Sequence, residues 1–302
     1  MAIARPNLFL VGAPKCGTTA LYTYLGRHPD IFMSPRKELH FFGRDLDYGK
    51  ARISESKYLS FLAAAGACRW RGEASVFSLF SRTAAAEIAA FSPDARIVIM
   101  LRDPVEMLHA LHGENLSIER EDIPDFAQAL AAEPARRAGQ RIPPYCTFVR
   151  GLYYSEIARY TAQVQRYIDA FGRDRVHIIL FEDFKTDPEA AFRGVLDFLQ
   201  VDSTIQSGFE VVNASHALRS RRLRRLYADP PDWLKLPLRI LPLRARSRIA
   251  RGIRQLNARP SVRAPLAPEL ARRFRTEFKD EALQLGKLLG RDLRHWSDAT
   301  DA

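Results

Sequence analysis

The residues whose types and spacing favour chemistry begin in a short loop near the N-terminus. The apolar segment Asn7–Val11 is followed by Gly12, a loop that ends at Gly17, and a helix-like segment that begins with Thr18 and Thr19. A loop between a buried strand and a helix points consecutive backbone N–H groups and the positive end of the helix dipole at one place. The sequence therefore predicts a P-loop-like phosphate-binding loop after the first strand.

The lysine of this loop stands in an unusual position. Gly12-x-x-x-x-Gly17 has the spacing of a Walker A loop, in which a lysine directly follows the second glycine and reaches the β- and γ-phosphates. Thr18 occupies that position here, and Lys15 lies inside the loop. This placement favours a ligand with one phosphate at the loop, joined to a reactive group that Lys15 can neutralise. A magnesium-dependent phosphotransferase with a degenerate P-loop is the less favoured alternative.

Candidate groups for proton transfer and anion binding follow two later apolar segments. Glu38 lies where the chain turns strongly apolar, and such surroundings raise the pKa of a carboxyl group and fit it to accept a proton from a hydroxyl. His40 is a rival base, because an imidazole titrates near neutrality. Arg102 follows the apolar run 97–101 and so emerges at the C-terminal end of a strand, where open α/β sheets bind ligands.

The elements that must position these residues alternate between strands and helices. Apolar runs predict strands at Asn7–Val11, Asp30–Met33, Arg69–Ala74, Arg96–Leu101 and Val176–Phe181. Helical spacing predicts helices at Thr18–Gly26, Ser54–Ala65, Leu152–Phe171, Glu189–Leu199 and Pro268–Leu289. The order is typical of a single α/β domain over residues 1–302, with a mainly parallel central sheet flanked by helices. A basic, irregular excursion is expected at about 219–265, before a C-terminal helix at about 268–290.

The net charge of +11 is concentrated in one segment of the chain. Thirteen of the 46 Lys and Arg residues lie between Arg219 and Arg259, with only two acidic residues, and the rest of the chain is neutral. Such a block is either a solvated basic face or a site for an anionic partner. The mixed basic and apolar run 233–241 suits peripheral contact with an anionic membrane surface or an acceptor lid. Nucleic acid is not expected, because prolines interrupt the block and aromatic residues are few.

Composition excludes several classes of protein. The 302 residues are 47% hydrophobic and 27% charged, which is ordinary for a well-cored globular chain. The three cysteines lie far apart and suggest neither a disulfide framework nor a thiolate metal site. No apolar run approaches the length of a signal peptide or a bilayer span, so we expect a cytoplasmic protein.

Four motifs in order resemble those of one enzyme family. They are Pro14-Lys15-Cys16-Gly17-Thr18-Thr19, Lys37-Glu38-Leu39-His40-Phe41-Phe42, Leu101-Arg102-Asp103-Pro104 and Gly151-x-Tyr153. Together they resemble the sulfotransferases that use 3′-phosphoadenosine 5′-phosphosulfate, and most closely the branch of heparan sulfate sulfotransferases and many bacterial members. The likeness covers about Leu8 to Pro188 and extends weakly to Trp296.

The resemblance implies a role for each matching residue. The loop residues Pro14 to Thr19 would hold the 5′-phosphate of the donor, with Lys15 stabilising the charge that builds on the leaving phosphate oxygen. Glu38 would be the catalytic base and His40 a positioning group. The guanidinium of Arg102 suits the 3′-phosphate. Sulfuryl transfer is an in-line displacement in which fixed cations supply the electrostatic stabilisation, so no metal is required. The product is adenosine 3′,5′-bisphosphate.

The chain departs from the family pattern after Arg102. The family usually has a serine eight residues after that arginine and often a further arginine at five, where this chain has Ala110 and Met107. The missing 3′-phosphate contacts have candidate replacements in His109, His112 and the basic residues Arg219, Arg221 and Arg222, of which Arg219 is the first choice. Tyr153 matches a family position near the adenosine, but its spacing to the apolar residues that follow also suits the core.

Two functions remain open on the sequence alone. The first is sulfuryl transfer to a hydroxyl or amine of a small-molecule, lipid or carbohydrate acceptor, with the aromatic residues Phe42, Tyr48, Phe77 and Phe80 as candidate acceptor contacts. The second is a catalytically weakened relative that binds an anionic or membrane surface through Arg219–Arg259.

Overall fold

The computed structural model describes residues 5–204, 208–209, 216–218, 252, 258–260 and 266–297. The strands are β1 (Leu8–Gly12), β2 (Ile31–Met33), β3 (Trp70–Ala74), β4 (Arg96–Leu101), β5 (Val176–Leu180), β6 (His216–Leu218) and β7 (Ala258–Pro260). The helices are α1 (Thr18–Leu25), α2 (Glu55–Ser60), α3 (Ala84–Phe91), α4 (Pro104–Ser117), α5 (Phe126–Ala131), α6 (Glu133–Arg137), α7 (Tyr154–Ile157), α8 (Tyr160–Phe171), α9 (Phe181–Thr186), α10 (Pro188–Leu199), α11 (Pro268–Glu277) and α12 (Lys279–Leu289). Short 3₁₀ turns connect several of them, among them Val76–Ser78 after β3 and Val149–Leu152 before α7.

The centre of the fold is a five-stranded parallel sheet in the order β2-β3-β1-β4-β5. Every residue of β1 is buried, as is every residue of β4 except Arg96. Strands covered on both faces have uninterrupted apolar sequences, and their positions are therefore predictable from the sequence. The predicted α/β class, with a parallel sheet flanked by helices, is confirmed.

The strand order creates a ligand-binding position between β1 and β4. The chain leaves β1 toward β2 and β3 on one side, and then crosses over to β4 on the other side of β1. Loops from two adjacent strands that lead in opposite directions leave a crevice at their C-terminal ends. The loop after Gly12 and the residue Arg102 both lie at this crevice.

One predicted helix is interrupted where it approaches the crevice. The segment predicted as a helix over Leu152–Phe171 contains the short α7, a break at Arg159 with φ −83° and ψ 76°, and then α8. The amide of Gln163 on α8 donates to the carbonyls of Glu156 and Ile157 at 3.0 and 3.1 Å. These hydrogen bonds satisfy carbonyls at the end of α7, so the break costs little free energy. Periodicity alone does not reveal such a side-chain cap.

The C-terminal segment also differs from its prediction as one helix over about 268–290. It forms α11 and α12, separated by Phe278, whose backbone has φ −95° and ψ 8°. The turn buries both Phe274 and Phe278.

The chain divides into two compact units, one of residues 1–210 with 266–302 and one of residues 211–265. In the second unit the structure describes an antiparallel pair, β6 with β7, so Ala258–Pro260 is a strand within the segment predicted to be irregular.

Candidate active site

The loop after β1 presents a row of backbone donors. Ala13 donates its N–H to the carbonyl of Met100 at 2.6 Å, which joins the loop to β4. Within the described part of the chain, no protein oxygen accepts from the N–H groups of residues 15 to 19. These groups lie at the N-terminus of α1, where the helix dipole favours negative charge. Unpaired N–H groups in this arrangement suit a phosphate.

Gly17 allows the loop to turn into α1. Its φ of +83° lies in the left-handed region that L-residues adopt only with strain. A Cβ at this position would lie 3.0 and 3.1 Å from two ring carbons of Phe181 on α9. The tight turn therefore depends on the absence of a side chain.

We expect Gly17→Ala to lower the free energy of unfolding by about 1–3 kcal/mol, the usual cost of a residue held in a sparsely populated conformation. Gly139→Ala is the matched control, since Gly139 has φ +76° and a Cβ added there would meet no described atom within 4 Å. Urea unfolding of both variants separates the backbone cost from the contact with Phe181. Equal losses for the two variants would show that the Phe181 contact contributes nothing.

Two cations meet at the loop, and each has a carboxylate partner. The ammonium of Lys15 lies 3.3 Å from Glu114 on α4. The guanidinium of Arg102 lies 3.0 Å from Glu106, also on α4, and stacks over the ring of Phe181 at 4.8 Å. Arg102 also donates to the carbonyl of Lys15 at 3.5 Å. The structure thus brings the predicted residues Lys15 and Arg102 to one place.

Lys37 is a site residue to which the sequence analysis gave no role. Its ammonium donates to the hydroxyl of Thr19 at 2.9 Å and lies 3.4 Å from that of Thr18. Burial lowers the pKa of Lys37, while the nearby Glu38 carboxylate raises it. Its place next to Glu38 in the sequence is the one signal that pointed to it. A second ammonium therefore lies at the helix N-terminus, between the loop and Glu38.

Glu38 has the properties of a base that works near neutral pH. Its backbone has φ +55°, and its N–H donates to the carbonyl of Ala74 at 2.8 Å at the end of β3. The N–H of Val76 donates to the two carboxylate oxygens of Glu38, at 3.2 and 3.4 Å. Burial raises the pKa of Glu38 to about 7, against the opposing effects of Lys37 and the Val76 hydrogen bond. A carboxyl with this pKa accepts a proton well at physiological pH.

His40 is neutral at physiological pH. Burial, together with the charges of Arg120, Arg36 and Arg52, lowers its pKa to about 4. Its ring stacks on Tyr48 with a centroid distance of 4.1 Å. Its buried Nδ1 atom has no hydrogen-bond partner among the described residues. A stacked, uncharged ring fits the predicted positioning role better than the rival role as base.

Two further titratable groups near the loop are buried and neutral. Cys16 donates to the carbonyl of Pro14 at 3.3 Å, and burial raises the pKa of its thiol to about 12, so no thiolate forms despite the adjacent helix N-terminus. Glu73 accepts from the Ser75 hydroxyl at 2.9 Å, and burial raises its pKa to about 8. Both groups fit structural positions in the protein interior.

Among the described residues, no hydrogen bond, ion pair or ring contact joins the loop to the other side chains predicted to hold the nucleotide. Ala110 and Met107 are buried on α4, and the methyl group of Ala110 offers a phosphate no hydrogen bond. The half-buried ring of Tyr153 lies beneath the guanidinium of Arg137 at 4.8 Å, before the break that takes it out of register with α8. Arg219, Arg221 and Arg222 lie outside the described residues.

Two sets of predicted contacts need correction. His112 is buried, its Nε2 lies 2.9 Å from the carbonyl of Ile123, and burial lowers its pKa, so it is no replacement for a phosphate-binding serine. The aromatic residues expected to line the acceptor cleft are buried instead: Phe42, Tyr48, Phe77 and Phe80 are 5–8% exposed. Phe42, Tyr48 and Phe77 make edge-to-face or stacked contacts with other buried rings, and Tyr48 also stacks on His40.

The described residues contain neither a metal cluster nor a membrane span. Among them, no three His, Cys, Asp or Glu side chains are arranged to hold a metal ion. None of the helices in that part of the chain is long and apolar enough to cross a bilayer.

Comparison with known proteins shows similarity to sulfotransferases over much of the chain. The mouse (Mus musculus) heparan sulfate glucosamine 3-O-sulfotransferase 3B1 is 28% identical over 194 residues, which cover 64% of this chain and 46% of that protein. The rat (Rattus norvegicus) carbohydrate sulfotransferase 15 is 23% identical over 269 residues, which cover 72% of this chain and 47% of that protein. The chain thus spans about half the length of the curated relatives it matches.

A solved structure and a family model extend the match. The crystal structure of a sulfotransferase from Alicyclobacillus acidocaldarius superimposes with a TM-score of 0.73 at 29% identity, covering 98% of this chain and 100% of that one. The model of the sulfotransferase domain matches residues 5–220, which include the loop, Glu38 and Arg102. On this match, which takes in most of its length, the chain belongs to the sulfotransferase family.

Proposed function

We propose that this sulfotransferase moves a sulfuryl group from 3′-phosphoadenosine 5′-phosphosulfate to a hydroxyl or amine of a carbohydrate or small-molecule acceptor. The observation that carries the proposal is the row of N–H groups at residues 15 to 19, which have no protein acceptor among the described residues, with the ammonium of Lys15 beside it and the carboxyl of Glu38 nearby. An anion-binding loop and a base tuned to neutral pH are the two parts that such a transfer needs.

The donor's 5′-phosphate is assigned to the loop. The N–H groups of residues 15 to 19 and the hydroxyls of Thr18 and Thr19 are available there, and Lys37 holds those hydroxyls in place. Arg102 is assigned to the 3′-phosphate, because its guanidinium lies at the end of the adjacent strand and is oriented by stacking on Phe181. The chain's own residues therefore fit a ligand with two separate phosphates.

The transfer itself requires one proton acceptor and one charge stabiliser. Glu38 takes the proton of the acceptor hydroxyl as the acceptor oxygen bonds to sulfur. The bond from sulfur to the bridging phosphate oxygen breaks at the same time, and its electron pair stays on that oxygen. Lys15 stabilises the negative charge that accumulates there, and adenosine 3′,5′-bisphosphate leaves. Negative charge is spread over several oxygens in the transition state. Fixed cations directed at the leaving oxygen therefore supply most of the rate enhancement.

A carbohydrate is the favoured acceptor class. The curated relatives are named for heparan sulfate glucosamine and for carbohydrate as their substrates. A ³⁵S-labelled donor, incubated with separate pools of sugars, desulfated polysaccharides, phenols and lipids, identifies the class by which pool becomes labelled.

Ligand-dependent melting tests donor identity without knowledge of the acceptor. We expect adenosine 3′,5′-bisphosphate to raise the melting temperature in the absence of magnesium, and ADP to raise it much less, because ADP lacks the 3′-phosphate assigned to Arg102. A ligand at 100 times its Kd stabilises the native state by about 2.7 kcal/mol. Equal shifts from the two nucleotides, or a shift from ATP that requires magnesium, would refute the assignment.

A further inference from the structure

One helix supplies the carboxylate partners of both cations assigned to the donor. Glu106 and Glu114 lie on α4, eight residues or about two turns apart, with the buried Ala110 between them. Glu106 lies 3.0 Å from Arg102, and Glu114 lies 3.3 Å from Lys15. The family's usual serine and arginine are absent from this helix, and two acidic side chains lie beside the site instead.

We propose that Glu114 is a positioning residue that holds the ammonium of Lys15 in the ligand-free protein and releases it to the donor. The proposal rests on the function proposed above. The ammonium that pairs with Glu114 is the one assigned to the bridging oxygen in the proposed function, where the donor replaces the carboxylate as its partner. When the donor binds, its phosphate replaces the carboxylate of Glu114 as the partner of Lys15.

The exposure of the pair fits this exchange. The side chains of Lys15 and Glu114 are 34% and 44% exposed, so water reaches both and the pair can separate without unfolding. An ion pair exposed to this degree contributes little to stability, and a nucleotide bearing several negative charges competes with it effectively. By contrast, the fully buried pair of Arg136 and Glu121 has no such access to a ligand.

The exchange also connects the donor site to the base. Glu114 raises the pKa of Glu38, whereas Lys37 and Arg120 lower it, and the buried carboxyl of Glu73 is also near enough to interact with it. While Lys15 neutralises Glu114, the effect of Glu114 on Glu38 is reduced. Once the donor takes Lys15, the carboxylate of Glu114 loses that neutralising charge, and we expect it to raise the pKa of Glu38 further, with Lys37 still interacting with both carboxylates.

The test is calorimetric titration with adenosine 3′,5′-bisphosphate. We expect Glu114→Gln to bind this nucleotide about 1.5- to 5-fold more tightly than the wild type, the effect of removing one exposed ion-pair competitor. Glu189→Gln is the control for net charge, because Glu189 forms an ion pair of similar exposure with Arg193 on α10. Its affinity is expected to equal that of the wild type.

A double-mutant cycle shows whether the gain passes through Lys15. In a Lys15→Ala background, Glu114→Gln should bring no further gain, since the ammonium for which carboxylate and nucleotide compete is gone. A gain of the same size in that background would overturn the proposal in favour of a general charge effect. Unchanged or weaker binding by Glu114→Gln alone would also overturn it.

A second readout follows the base directly. In protein labelled with ¹³C at the glutamate carboxyl, the nucleotide should raise the pKa of Glu38 more in the wild type than in Glu114→Gln, and an equal rise in both would overturn the proposal. The Glu38→Gln variant identifies the resonance. If the wild type fails to bind the nucleotide at all, the proposed function fails with it, and the melting experiment reports that failure separately.

Discussion

Lys15→Ala is expected to lower the rate of sulfuryl transfer by about 10²–10³-fold, which corresponds to about 2.7–4 kcal/mol of transition-state stabilisation. The reason is that charge on the bridging oxygen grows only as the sulfur–oxygen bond breaks, and Lys15 is the cation assigned to that oxygen in the proposed function. The loss should therefore appear mainly in kcat, measured with the labelled donor and the acceptor found in the pool assay. Binding of adenosine 3′,5′-bisphosphate should weaken much less.

Two variants test whether the effect belongs to Lys15. Lys185→Ala removes an exposed lysine on α9 and should leave the rate unchanged. Lys37→Ala removes the second ammonium, which contacts the hydroxyls of Thr18 and Thr19, and should cause a smaller loss. A larger loss for Lys37→Ala than for Lys15→Ala would transfer the leaving-group role to Lys37. A comparison of the two is needed because both ammonium groups lie at the same helix end.

The sheet and the loop could be predicted from the sequence because each strand, and the loop itself, is encoded by one continuous stretch of residues. The predicted strand at Arg96–Leu101 has the observed bounds, and the other four strands of the main sheet differ by one residue at one or both ends. Uninterrupted apolar runs between turn residues determine a buried parallel strand almost alone. The glycines, Lys15 and the threonines of the loop likewise form a continuous stretch, so their proximity needed no knowledge of the fold.

The partners of these residues could not be predicted in the same way. The pairing of Lys15 with Glu114 depends on how α4 lies against the loop, and periodicity within one helix carries no such information. The break at Arg159 is accompanied by hydrogen bonds from the amide of Gln163 on the following helix, which periodicity does not encode. The aromatic residues expected at an acceptor surface were misplaced because composition does not distinguish a cleft from a core.

Glu38→Gln is expected to reduce transfer by about 10²–10⁴-fold without weakening nucleotide binding. Glutamine keeps the size of the side chain and can still accept from the N–H of Val76, but it cannot take the acceptor proton. Glu189→Gln again serves as the control for charge. A variant that retains its turnover would remove Glu38 from the role of base.

The pH profile separates Glu38 from His40. A base must be unprotonated, so the wild-type kcat/KM should rise with pH and level off above about 7, the pKa to which burial raises Glu38. An acid limb near pH 4 would instead identify His40, whose pKa burial lowers to about 4.

The raised pKa of Glu38 also predicts how the stability of Glu38→Gln compares with that of the wild type. Folded Glu38 retains its proton between its ordinary pKa of 4.5 and about 7, where the unfolded chain has lost it, so the wild type loses stability as pH rises through that window. Glu38→Gln removes this dependence and should be at least as stable as the wild type at pH 8, so that lost turnover there reports on chemistry and not on unfolding.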